Sequence, residues 1–246
     1  MSDKDPLEIL RRRPIELWDY PRILMGVPQE RAMSYSTQVF YSFWQIAQQG
    51  MPIIKMPYNR VDITRNKMAV ELLRSDFTHL LMLDIDHIHP NDIVPKLARW
   101  TLQEPFAKVV GGLNFRRSIP FDPCCGFWGN DGKYYPPAKW EQGLIKVDVL
   151  GTGSILIARE VFEQIEPPWF YFDYSKVWAD KWSGEDIAFS LLCQKHGIDV
   201  YVDTTISSPH INPALVTEDT FKRYMEETQQ GTVKFDEFME RTKQQA

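Results

Sequence analysis

Cysteine is scarce: three residues in 246, Cys124, Cys125 and Cys193. Adjacent cysteines do not easily bridge each other and no C-x-x-C pair is present, which argues against a thiol-rich zinc site. A reducing, cytoplasmic setting fits this usage. No apolar run reaches the roughly 18 residues of a membrane span. The opening MSDKDPLEILRRRPIELWDYPR is charged and lacks an apolar centre, so no secretory leader is expected. The chain has no G-x-x-x-x-G-K-[ST] and no G-x-G-x-x-G after its first strand, which excludes a Walker-type ATPase and disfavours a dinucleotide oxidoreductase. A basic excess is also missing: 28 Lys and Arg stand against 33 Asp and Glu, a net charge of −5. General nucleic-acid binding is therefore not expected. A phosphorylated ligand would need a local cationic device instead of a global field.

What is present is ordinary globular material, 43% apolar and 25% charged. A chain of this length buries a core without covalent staples. Aromatic residues make up 13%, with eight tryptophans, and flat aromatic faces suit sugars as well as cores.

Apolar patterning divides the chain. Residues 1–20 read as a polar lead-in. RILMGVP (22–28) reads as a strand, and residues 34–50 as a helix closed by Gly50. MPIIKMP (51–57) is a second strand, and 62–76 a helix with Asp62 or Thr64 as cap. THLLMLDID (78–86) is a third strand, apolar enough for burial on both faces. Residues 91–103 form a helix capped by Asn91 or Asp92, with Pro95 in its first turn, and 107–115 a fourth strand. This alternation implies an α/β fold with a mostly parallel, Rossmann-like central sheet flanked by helices, whose ligands bind beyond the carboxyl ends of the strands. Residues 116–143 are rich in turns and aromatics and carry no clear period. Two strand-like runs surround Gly151-Thr152-Gly153, followed by a short helix to 165, an aromatic loop (167–182), a helix (183–197) and a strand (198–210). From 211 to 246 the chain is polar, with a helical pattern.

The stretch LLMLDIDHIHP (80–90) ends a buried run on Asp84 and Asp86. At i and i+2 of a strand these carboxylates share one face. Hard oxygens suit Mg²⁺ or Mn²⁺ bridged to phosphate. His87 and His89 can join such an ion, but turn histidines before Pro90 are the plainer reading, since oxygen-type sites seldom need imidazole. Arg65, early in its helix, can pair with a phosphate or simply face solvent. Ser183 with Asp186 matches a capping box; alternatively a carboxylate at that helix start is a general base kept ionised by the helix dipole. Neighbours Glu185 and Asp186 project about 100° apart, so only one can point into a site. His210 gains meaning only if a metal site demands a ligand there.

Taken in order, VPQE, ITRNKMAVELL, LLMLDIDHIHP, VLGTGSILIAREVFEQIEPPWF, GEDIAFSLLCQKHGIDVYVDTTI and SPH resemble the metal-dependent GT-A-fold glycosyltransferases, and most nearly the family-two-like enzymes of bacteria and bacteriophages. The resemblance spans roughly residues 22–210. It implies a nucleotide-sugar-binding half (21–115), an acceptor-binding and catalytic half (116–210) and a helical tail. It implies Asp84 and Asp86 as ligands of Mn²⁺ or Mg²⁺ on the donor diphosphate, with His210 as third ligand. Val27 and Pro28 would line the nucleotide pocket, Arg65 would approach the diphosphate, and Gly151 and Gly153 would admit sugar or acceptor. Asp186, with Glu185 beside it, would be the base. The implied partners are a nucleotide-diphosphate sugar, a UDP-sugar favoured, and an acceptor that is a glycan, small molecule or macromolecule. A phage-encoded member would act in the host cytoplasm. Residues 116–143 match no acceptor pattern, though Trp128, Trp140, Trp178 and Trp182 offer stacking faces as readily as packing ones.

Two other readings compete. A nucleotidyltransferase would carry a glycine-rich basic loop after the first strand, where this chain has VPQERAMSY. A non-catalytic binding relic would have lost a metal or base residue, and all are present.

Overall fold

The computed structural model describes residues 6–28, 37–54, 56, 59–130, 133–176, 181–212 and 214–228. Its centre is a seven-stranded sheet made of β1 (Ile23–Gly26), β2 (Ile53–Ile54), β3 (His79–Leu83), β4 (Val109–Leu113), β7 (Leu144–Val147), β9 (Ser154–Ala158) and β12 (Val200–Ser207), in the order β2-β1-β3-β9-β4-β12-β7. The strands β1, β2, β3, β4 and β12 run one way, while β9 and β7 run against them. The sheet is therefore mostly parallel, as the alternation predicts, with β9 inserted between β3 and β4. Helices α1 (Pro6–Arg11), α2 (Thr37–Ala47), α3 (Val61–Arg74), α4 (Ile93–Gln103), α5 (Arg159–Gln164), α6 (Glu185–Lys195) and α7 (Glu218–Thr228) surround it.

The apolar run of β3 is explained by two-sided burial. Leu80 and Met82 belong to one core cluster, and Leu81 and Leu83 to the other, on opposite faces of the same strand. Gly50 ends the α2 region with φ +80°, a conformation that a glycine adopts without a Cβ penalty. Arg159 secures the far end of α3: its guanidinium donates to the carbonyls of Leu72, Leu73 and Ser75 at 2.7–3.0 Å. They lie at the C-terminal end of the helix, where Leu72 O also accepts from Ser75 N–H and Oγ, and a cation there is favourable.

Several boundaries differ from the sequence expectations. The lead-in is not wholly polar: Leu10, Ile15 and Trp18 are buried against the sheet layer that α4 covers. The aromatic stretch 167–182 contains a hairpin, β10 (Asp173–Lys176) with β11 (Lys181–Ser183). Within 116–143 lie β5 (Cys125–Trp128) and β6 (Tyr134–Tyr135), which form a small sheet with β8 (Val149–Leu150). The last predicted strand is two: β12 stops at Ser207 and β13 (His210–Asn212) pairs with β14 (Ala214–Val216). The α3 cap position is Arg60, not Asp62 or Thr64, and Asp92 precedes α4 without a side-chain cap bond. Helix α7 is not an independent tail: Phe221 is buried beside Phe115 and Trp140. Among the described residues no helix is long and apolar enough to cross a membrane.

Candidate functional site

Strand β3 delivers its chain to the carboxyl edge of the sheet and stops at Leu83, where Asp84 N–H donates to Gly153 O at 2.9 Å. Residues 85–86 then turn. The following segment is stitched to the start of β13: Ile88 N–H donates to Pro209 O (2.9 Å), Ile211 N–H donates to Asp86 O (2.8 Å), and His87 forms a bridge with His210. Two segments remote in sequence are thereby locked side by side.

The turn overrides the period-two argument. Asp84 and Asp86 are not held as a co-directed pair, because the strand ends before either residue. Asp84 faces Arg65, whose Nη2 lies 2.9 and 3.0 Å from its two carboxylate oxygens. Asp86 faces the histidines: its Oδ1 lies 2.9 Å from His87 Nδ1 and its Oδ2 2.9 Å from His210 Nε2. The His87 and His210 rings stack with centroids 4.1 Å apart. Asp86, His87 and His210 thus offer three ligand atoms within 4.8 Å of one another. Asp84 does not join this group, whereas His87, read from sequence as a plain turn residue, does. The signal for His87 was its position next to Asp86, but only the approach of β13 shows which ring turns inward.

The donor chemistry fits a divalent ion. A carbonyl oxygen only accepts, so His210 Nδ1, 2.9 Å from Phe115 O, carries the proton. Its other nitrogen, Nε2, faces the Asp86 oxygen at 2.9 Å, where a shared proton or a bound ion would join the two. Ligands about 2.1 Å from an ion and at right angles stand roughly 3 Å apart, close to the 2.9 Å between Asp86 Oδ2 and His210 Nε2. Burial by itself would raise the Asp86 carboxyl. Hydrogen bonds from His210 and His87 and their charge outweigh it and hold the group well below the usual carboxylate range.

His89 supports the turn from below and is only 2% exposed. Its Nε2–H donates to Asp84 O (2.9 Å) and its Nδ1 accepts from Ser208 Oγ (3.0 Å), while its backbone N–H donates to Ser42 Oγ (3.1 Å). Burial, aided by His87, brings its pKa down to about 3. It is a buried, neutral strut, where the plainer reading of the sequence has only a turn histidine before Pro90.

Arg65 is fully enclosed and does not present an open fork. It bridges Asp84 to Glu185, its Nε lying 3.3 Å from Glu185 Oε1. Glu185 and Asp186 open α6, whose cap position is Gly184 with no side-chain cap bond, so the Ser183–Asp186 capping box does not form. Asp186 Oδ1 instead accepts from Ile187 N–H at 2.8 Å. The pKa values of both carboxyls are raised, in each case first by burial; Arg65 pulls both back, and the Ile187 N–H pulls Asp186 back further. Burial therefore prevails over the helix-dipole argument in direction.

The glycines are sterically required. A Cβ at Gly153 would sit 2.9 Å from Asn114 Nδ2 and 3.0 Å from His87 Cε1, and one at Gly151 would sit 2.8 Å from Cys124 Cβ. Val27 is buried and Pro28 half-buried at the end of β1; the rest of the VPQE motif lies outside the described residues. Trp140 packs between Phe115 and Phe221. Trp128 is half-buried in β5. Trp178 and the Trp182 side chain lie outside the described residues. One further residue was not anticipated: Arg117, whose Nη1 lies 3.3 Å from Asp86 Oδ2.

No family model matches the chain, and no curated protein matches it by sequence. Solved structures do. The chain is similar to A197 from STIV, with a TM-score of 0.57 and 17% identity, over 81% of this chain and 91% of that one. It is also similar to GalNAc-T7, solved with UDP, GalNAc and Mn²⁺, with a TM-score of 0.51 and 11% identity. That match covers 89% of this chain but 43% of the longer transferase. At such identities the likeness is one of fold: a GT-A-like α/β architecture.

Proposed function

We propose that the chain is a metal-dependent glycosyltransferase of the GT-A type. It would move a sugar from a nucleotide diphosphate to an acceptor hydroxyl, a UDP-sugar being the favoured donor. The observation that carries this reading is the convergence of Asp86, His87 and His210 at the carboxyl edge of a GT-A-like sheet. The GT-A-like neighbour solved with UDP and Mn²⁺ supports the same choice of ligands.

Asp86 and His210 would hold Mn²⁺ or Mg²⁺, with His87 completing the set. When bound, the ion offsets charge growing on the departing diphosphate. Asp84 does not touch the ion in this reading; it fixes Arg65, and through Arg65 the start of α6. Glu185 is already engaged by Arg65, which leaves Asp186 as the base. Its buried, raised carboxyl binds a proton more readily than an ordinary aspartate, which suits it to take the acceptor hydroxyl's proton during attack on the anomeric carbon. Direct displacement inverts that carbon. Val27 and Pro28 would border the base of the nucleotide, and Gly151 and Gly153 would keep the floor of the site free of side chains.

The test is calorimetric titration with UDP, GDP and CDP, each with and without Mn²⁺. Binding of one nucleotide only in the presence of Mn²⁺ is the expected result. A folded chain that binds none of them overturns the reading.

A further inference from the structure

The geometry points to Arg117 as a mobile cation that occupies the metal site's carboxylate in the ion-free chain and transfers to the donor's phosphate once an ion is bound. This inference rests on the nucleotide-sugar reading above and assigns a role within the 116–143 region, which the sequence left without one.

The Asp86 Oδ2 oxygen accepts two contacts, from His210 Nε2 at 2.9 Å and from Arg117 Nη1 at 3.3 Å. An ion held between that oxygen and His210 Nε2 draws charge from the carboxylate and repels the Arg117 cation beside it. The guanidinium must then move. It is free to do so, since the Arg117 side chain is 56% exposed and its contact with Asp86 is long. Its backbone is not free. Asn212 Nδ2 donates to Arg117 O, and Asn212 lies on β13, two residues beyond His210. Arg117 is therefore tied to the strand that carries a metal ligand, with a side chain able to swing about that anchor.

Charge balance gives the swing a destination. Asp84, Asp86, Glu185 and Asp186 gather here, and Arg65 is buried between two of them. A diphosphate arriving on the ion brings further negative charge and planar oxygen pairs that a guanidinium fork matches. Among the described residues, Arg117 is a largely exposed cation that already touches the Asp86 carboxylate.

The test measures two affinities with opposite expected signs. Mn²⁺ is titrated by electron paramagnetic resonance into the wild-type chain, Arg117→Ala and Arg117→Lys without nucleotide. UDP, and uridine as a phosphate-free control, are then titrated at saturating Mn²⁺. Arg117→Ala should bind Mn²⁺ about two- to fivefold more tightly, because an exposed competing pair is lost. It should bind UDP about tenfold more weakly, with uridine unchanged, because a charged hydrogen bond to phosphate is lost. Arg117→Lys should recover part of the UDP affinity. If Mn²⁺ and UDP affinities fall together, Arg117 is merely structural and the inference fails. Unchanged UDP affinity in Arg117→Ala, with a wild type that binds UDP, also overturns it and leaves the transferase reading standing. A wild type that takes Mn²⁺ but no UDP, GDP or CDP overturns both.

Discussion

Asp86 Oδ2 lies 2.9 Å from His210 Nε2, across 124 residues of chain. The contact is held by backbone pairing of the 86–88 turn with the segment 209–211, which brings the candidate metal-ligating groups together.

Asp86→Ala should abolish Mn²⁺-dependent nucleotide binding while leaving the fold intact, because the Asp86 side chain lies in the turn after β3 and is part of neither apolar core cluster. Calorimetry with Mn²⁺ and UDP, beside a circular dichroism spectrum, checks it. A folded variant that still binds UDP only with Mn²⁺ would count against this assignment.

Arg65→Met should act on stability more than on metal binding. It leaves Asp84 and Glu185 facing each other without their buried cation, and removing one partner of such a pair costs about 3 kcal/mol. Urea denaturation gives the cost. The single variants Arg65→Met and Asp84→Asn, with the double variant, should be strongly non-additive.

Gly153→Ala should weaken Mn²⁺ binding without any change of ligand. The new methyl meets Asn114 Nδ2 at 2.9 Å and His87 Cε1 at 3.0 Å, so the His87 ring must shift. Overpacking of this kind costs about 1–3 kcal/mol. Gly153 has no positive φ, so the effect is steric. Mn²⁺ titration of the folded variant is the readout, and unchanged affinity would show that His87 contributes nothing to the ion.

Stability should fall on mild acidification because of His79. Burial lowers its pKa from about 6.5 to about 4, so the folded chain holds it neutral while the unfolded chain takes up a proton. The unfolded state thus binds more protons across this window. Stability is full above pH ~6.5 and is lost as pH falls toward ~4. Urea midpoints between pH 7 and pH 4 should drop, and His79→Gln should flatten part of that drop. His89, brought to about 3, contributes over the same range, so the flattening is partial. An identical pH slope in His79→Gln would remove His79 from the account.

Asp186→Asn should abolish sugar transfer while preserving Mn²⁺-dependent UDP binding. In the wild type the rate should rise with pH through a carboxyl pKa above the ordinary aspartate range, since the base must be ionised and burial raises its pKa. A pH–rate profile of transfer or of slow donor hydrolysis measures it. An Asn variant with undiminished rate would exclude Asp186 as base.

The sequence by itself determined the layered α/β fold. Strand–helix alternation and the two-sided apolar run Leu80–Leu83 are local, periodic signals, and local periodicity is what a chain displays before it folds. The order of its motifs also grouped Asp86 with His210 and Asp84; the structure brings the first two side chains to within 2.9 Å of each other and turns Asp84 away to Arg65. The partners of each charged group were decided by tertiary structure alone. Asp84 and Asp86 look equivalent in a line of residues, yet a turn after Leu83 sends one to Arg65 and the other to two histidines. Arg65 looks like an exposed helix cation, yet α6 closes over it with Glu185. Arg117 stands in a stretch without period and meets Asp86 because Asn212 anchors it to β13. Apart from Asp86 and its neighbour His87, those pairings cross 19 to 124 residues, with Arg117 and Asp86 31 apart, and depend on which side chain turns inward where two elements meet. No spacing along the chain encodes that, because the energy that decides it comes from burial and opposite charge in three dimensions.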